Sequence, residues 1–89
     1  MVERSVQIVN AQGLHARPAA ELVKVASRFA SEITIARDDL EVNGKSIMGV
    51  MMLAAEFGSS IVMRATGPDA EQALDALAAL VAARFGERS

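Results

Sequence analysis

The sequence has no cysteine, tryptophan or tyrosine. Without thiols there are no disulfides, no thiolate nucleophile and no cysteine metal site, which suits a reducing compartment. Without tryptophan and tyrosine, and with a formal net charge of -2, there is no basic surface carrying aromatic platforms. Single-stranded nucleic acid needs both, so we expect no nucleic-acid partner. Long apolar runs are missing as well. The longest, Ile47 to Ala55, is far short of the roughly 20 residues of a membrane helix. Residues Met1 to Ile8 lack the apolar stretch of a secretory signal. The expectation is a cytoplasmic protein without membrane insertion. Histidine is nearly absent: His15 is alone, with no Asp or Glu close by in the sequence. That argues against a metal site and against a hydrolytic triad.

What remains is 89 residues, 52% of them hydrophobic, enough for one small domain spanning 1–89. Residues 2–9 alternate, with Val2, Val6 and Ile8 on one face and Glu3, Ser5 and Gln7 on the other, which predicts a half-buried strand. From Ala16 to about Arg28 the apolar positions recur at helical spacing, and Pro18 is tolerated in the first turn. Residues 32–36 predict a second strand, with Ile33 and Ile35 inward. Asp38-Asp39 is a turn, Leu40 and Val42 mark a short third strand, and Asn43-Gly44 ends it. Ser46 is the expected N-cap of a helix over about 47–55, closed by Gly58. Residues 60–66 predict a fourth strand. Asp69 then caps a last helix with Ala70, Ala73, Leu74, Leu77, Val81 and Phe85 on one face, stopped by Gly86. The order β-α-β-β-α-β-α fits one mixed sheet with helices on one face. It fits a ferredoxin-like fold with an added helix equally well, because element order does not fix strand order.

Gly13-Leu14-His15-Ala16-Arg17-Pro18 lies where the first strand hands over to the first helix. A helix N-terminus offers free N–H groups and the positive end of the helix dipole, a setting that favours phosphate. At neutral pH an imidazole keeps a ring nitrogen free to attack. The Arg17 guanidinium could then neutralise what the ring picks up. On spacing alone, an ordinary capping histidine competes with this reading. The helix at Ile47 is apolar all round. If Ile47, Val50 and Ala54 face the sheet, Met48, Met51 and Met52 cannot all be buried with them. Exposed methionines suit adaptable docking, and a crowded core helix is the competing reading. Gly44-Lys45-Ser46 looks like the end of a P-loop, but Asp39 stands where the pattern requires its first glycine, which rules out nucleotide binding.

Taken together, Gly13 to Ala20, Lys45-Ser46-Ile47-Met48-Gly49-Val50-Met51 and their spacing resemble the histidine phosphocarrier (HPr) family of the bacterial phosphoenolpyruvate-dependent phosphotransferase system. The resemblance covers essentially the whole chain. It implies an α+β fold, an open-faced β-sandwich with a four-stranded antiparallel sheet of order 1-4-2-3 and three helices on one face. It implies that His15 accepts a phosphoryl group from phosphorylated enzyme I and passes it to an enzyme IIA domain, with Arg17 holding the group. Such a protein is a carrier rather than an enzyme, acts as a monomer, and needs no cofactor beyond the phosphoryl group that enzyme I takes from phosphoenolpyruvate. Ser46 matches the family's regulatory serine, the target of HPr kinase/phosphorylase. A phosphate there would bring nearly two negative charges beside the methionine surface.

Docking is expected around His15, on Ala16, Ala20, Ile47, Met48, Met51 and Met52. Many family members carry lysine where this chain has Ser27 and Gly49, while Glu21 and Glu56 lie close by. The Gly67-Pro68-Asp69 turn and the alanine-rich last helix resemble the nitrogen-related branch, in which the relay ends on a regulatory enzyme IIA. A reading of another class is a regulatory binding module gated by Ser46, with no phosphoryl flux through His15. His15→Ala separates the two, because it abolishes only the first activity.

Overall fold

The sheet forms because four segments alternate in polarity. The computed structural model describes residues 1–88. Strand β1 is Val2–Gln7, β2 is Glu32–Arg37, β3 is Leu40–Asn43 and β4 is Ser60–Thr66. They pair antiparallel in the order β1-β4-β2-β3. Ile61, Met63 and Ala65 of β4 and Ile33 and Ile35 of β2 are buried on the inner face. The outer face is polar. There Arg64 donates from Nε to Glu3 Oε1 (3.0 Å) and from Nη1 to Glu41 Oε2 (2.7 Å), joining three strands. These bonds to Glu3 and then Glu41 hold the Arg64 pKa above its ordinary value. Arg4 lies on the inner side of edge strand β1, where it reaches the last helix through Asp75 (2.6 Å).

Helix α1 is Ala16–Ala26, α2 is Ile47–Met52 and α3 is Ala70–Ala82, followed by a 3₁₀ turn over Arg84–Gly86. Helix α3 packs on β1 and β4, and α1 packs on α3 and α2. Leu22, Leu74 and Leu77 bring the helix stripes down on the inner face of the sheet, and all three are fully buried. The fold is therefore the open-faced α+β sandwich that the resemblance implies.

Several elements end earlier than the periodicity predicts. β1 stops at Gln7 rather than residue 9, although Ile8 continues the inward pattern and is buried. α1 stops at Ala26, before Arg28, and leaves Phe29 half-buried in the following turn. α2 stops at Met52 rather than Ala55. Ala54 adopts φ +48 and is exposed instead of facing the sheet, and Leu53 and Ala55 are buried in its place. Arg37 Nη1 donates to the Leu53 (3.1 Å) and Ala54 (2.7 Å) carbonyls, satisfying acceptors freed by the early end. Gly58 thus sits in the α2–β4 loop, not at the helix end.

α3 likewise stops before Phe85. Arg84 and Phe85 take φ +57 and +56, and Gly86 takes +80. Left-handed backbone costs a non-glycine residue roughly 1–2 kcal/mol. Burial of Phe85 against the core offsets that cost. Asp69 precedes α3, but its side chain does not cap that helix. Its carboxylate accepts instead from Ala30 N (2.9 Å), Ser31 N (2.9 Å) and Ser31 Oγ (2.5 Å), pinning the α1–β2 connection.

Candidate functional site

The β1–α1 loop places His15, and Gly13 places the loop. Gly13 has φ +69, and a Cβ there would collide with the Ala55 carbonyl. Leu14 N donates to that carbonyl (2.8 Å), so the loop lies flat on the α2–β4 connection. Leu14 is buried, and His15, next in line, is left partly exposed at the N-cap of α1. Ala19 N donates to the His15 carbonyl (3.0 Å), the first turn of the helix. Pro18 is buried in that turn and costs no hydrogen bond there.

The His15 ring does not cap its own helix. Nε2 donates to Glu87 Oε2 at 2.9 Å. The other oxygen of Glu87 accepts from Asn10 Nδ2 (2.9 Å), and the same nitrogen donates to the Gly13 carbonyl (2.8 Å). Asn10 is fully buried, and its Oδ1 has no partner among the described residues. A carboxylate therefore does stand beside the lone histidine, contrary to the sequence neighbourhood. It arrives from 72 positions away, carried by the left-handed turn at Arg84–Gly86.

A cavity of about 510 Å³ opens at this point, lined by Gln12, His15, Arg17, Gly86, Glu87 and Arg88. This polar cluster around His15 was not expected from the sequence. Arg17 is exposed, and no ion pair among the described residues engages it. A phosphoryl group on the ring would meet the N-terminal end of α1 and the guanidinium of Arg17. Among the described residues, no group of three metal-ligating side chains comes together.

Ser46 is the N-cap of α2, and its Oγ accepts from Gly49 N at 3.1 Å. Lys45 is turned away from it, with Nζ donating to the Phe29 carbonyl (2.7 Å). Of the expected docking residues, Met48 (76% exposed), Met52 (66%), Ile47 (45%) and Met51 (41%) are open to solvent. Val50, on the same helix, is completely buried. Ile47 thus lies with the methionines and not against the sheet. On α1, Ala16 is exposed and Ala20 half-buried. The crowded-core reading of α2 fails, because a six-residue helix can bury only one narrow stripe.

A small antiparallel sandwich carries a histidine at a helix N-terminus with an exposed apolar helix beside it. Comparison with known proteins defines the class. Residues 2–83 match the family model described as the PTS HPr component phosphorylation site. The chain is 49% identical over 87 residues to the phosphocarrier protein HPr of Cupriavidus necator, covering 98% of each chain. It is 44% identical over 88 residues to the phosphocarrier protein NPr of Shewanella violacea, covering 99% of this chain and 97% of that one. A crystal structure of HPr from Thermoanaerobacter tengcongensis superposes with a TM-score of 0.95 at 45% identity, with complete coverage of both chains. A second structure from that organism, at 46% identity and TM-score 0.79 over 98% of this chain and 100% of that one, is an HPr dimer. The chain belongs to the HPr family. It is a phosphocarrier of the phosphotransferase system.

Proposed function

We propose that His15 is the phosphoacceptor, taking a phosphoryl group from phosphorylated enzyme I as a transient phosphohistidine and passing it to an enzyme IIA domain. One observation carries this reading: the only histidine sits at a helix N-terminus, in an open polar cavity with Arg17, which no ion pair among the described residues engages. A carrier needs a nucleophile with little machinery around it, since each partner completes the transition state. Arg17 holds the phosphoryl group by charge and by paired N–H donors. Ile47, Met48, Met51 and Met52, with Ala16 and Ala20, form the face on which successive partners dock. The carrier works as a monomer in the cytoplasm, without a resident cofactor or metal and without nucleic acid. The HPr dimer of Thermoanaerobacter tengcongensis makes oligomeric state a property to measure alongside activity.

Ser46 serves as a switch acted on by HPr kinase/phosphorylase. A phosphate on its Oγ would add charge next to Ile47 and Met48, in the middle of the apolar docking face. The two modifications separate by chemistry. Label transferred from phosphoenolpyruvate through enzyme I should be lost in acid, as expected for phosphohistidine, whereas label on Ser46 should survive. Acid-stable label after treatment with enzyme I would move the site away from His15.

A further inference from the structure

We propose that the cleft between Phe57 and the Arg84–Gly86 turn is a docking site for an acidic segment of a partner protein, with one apolar side chain seated on Phe57, Val9 and Ala11 and carboxylates on Arg84 and Arg88. The cleft holds about 340 Å³ and is lined by these five residues. Phe57 is 64% exposed, although its loop is tightly held. Gly58 N donates to the Ile8 carbonyl (2.8 Å), Ile8 N donates to the Ser59 carbonyl (2.8 Å), and Glu56 N donates to Ser59 Oγ (3.0 Å). A fixed loop, not a slack one, thus presents the ring to solvent. The other wall is fixed as well. Glu87 N donates to the Arg84 carbonyl (2.9 Å), and Phe85, between Arg84 and Gly86, is buried as the anchor of the turn.

Charge selects the occupant. No acidic side chain lines the cleft, and no ion pair among the described residues engages Arg84 or Arg88. Glu56 and Glu87, acidic neighbours in the chain, stay out of the lining, and Glu87 has its two oxygens turned to His15 and Asn10. Guanidinium groups meet carboxylates through paired N–H donors. Phe57, Val9 and Ala11 supply the apolar contact. Aromatic and arginine side chains are among those on which binding energy concentrates, and walls fixed before binding lose little freedom when a partner arrives. Lipid recognition takes clusters of about four to eight basic residues. This cleft has two, so a protein segment fits it better than a membrane. Arg88 also lines the His15 cavity, so a partner held here lies beside His15 and away from the methionines of α2.

The test uses full-length ¹⁵N-labelled protein. The probes are a synthetic peptide with leucine flanked by aspartates and its counterpart with lysine in place of each aspartate. The aspartate peptide should shift the amides of Val9, Ala11, Phe57, Arg84 and Arg88, and the lysine peptide should shift none of them. Phe57→Ser and Arg84→Glu, both at exposed positions and expected to melt with the wild type, should each weaken the aspartate peptide roughly tenfold, the scale of one lost side-chain burial or charge pair. The pair of peptides decides the matter on the wild type even where a variant unfolds. No shift at these amides at millimolar peptide, equal shifts with the two peptides, or unchanged affinity in both variants would overturn the proposal. Binding of the wild type to phosphatidylserine vesicles that Arg84→Glu abolishes would give the cleft to a lipid surface instead. The chain carries an exposed acidic turn of its own, Asp38-Asp39-Leu40, so self-association abolished by Arg84→Glu would give the cleft to a second copy and overturn it too.

Discussion

Replacing Met48 with glutamate tests the docking face without disturbing the fold. Met48 is 76% exposed, so the change exchanges one hydrated side chain for another. Surface substitutions of this kind stay within about 0.5 kcal/mol. For a domain of this size 1 kcal/mol moves the melting temperature by about 4–8 °C, so the expected shift is below about 4 °C. Being in the first turn of α2, the new carboxylate is if anything favoured by the helix dipole. Docking responds differently. Burying a methionine side chain contributes about 1.5–3 kcal/mol, and the variant forfeits that and must desolvate a charge as well. Each 1.4 kcal/mol is about a factor of ten in affinity, so the half-saturating carrier concentration should rise at least about tenfold. Calorimetry reads the first quantity, and the rate of phosphoryl uptake against carrier concentration reads the second. A melting loss above about 10 °C would mean that Met48 packs in the core. An unchanged half-saturation would mean that partners dock elsewhere. Val50→Glu is the internal contrast: the same helix and the same charge, but a fully buried position whose substitution should unfold the domain.

Ser46→Ala removes the acceptor of the 3.1 Å bond from Gly49 N and should cost about 1 kcal/mol, a melting loss of about 4–8 °C, whereas Ser46→Asp should retain most of the cap. Equal melting of Ser46→Ala and wild type would show that the cap contributes nothing to stability. Asp69 has its pKa lowered first by the Ser31 hydroxyl and then by the Ala30 amide. The folded state thus prefers the carboxylate. The stability this contributes is present above the ordinary value of 3.8 and is lost as pH falls through the lower folded value. Asp69→Asn should therefore melt below wild type at neutral pH, with the gap narrowing in acid; a constant gap would remove Asp69 from the acid response.

What the sequence reveals and what it hides follow from distance along the chain. Alternation in β1, β2 and β4, the Ser46 cap and the proline in the first turn of α1 are local signals, and each leads to the right element. Strand order is not local, and only the family resemblance supplied it. Helix ends are overrun at Arg28 and Ala55 because Phe29, Leu53 and Ala55 beyond the helices still turn inward and keep the apolar pattern going. Asp69 looks like a cap by position, but a carboxylate near two free amides and a hydroxyl from another loop binds those instead. At the site, His15 and Arg17 were legible because they lie in one short motif. Glu87 was not. It joins His15 through a left-handed turn containing Arg84 and Phe85, residue types that give no turn signal, and only Gly86 marks the place. Asn10 gives no local signal of its role, although it is the buried tie between that carboxylate and the Gly13 carbonyl.

On the proposed reading, every phosphoryl group carried by the protein passes through His15. Intact mass spectrometry of the full chain after mixing with enzyme I, magnesium and phosphoenolpyruvate, beside a His15→Ala control, tests it most directly. The wild type should gain one phosphate and the variant none. No gain in the wild type, with enzyme I active on another HPr in the same experiment, or an equal gain in His15→Ala, would contradict it.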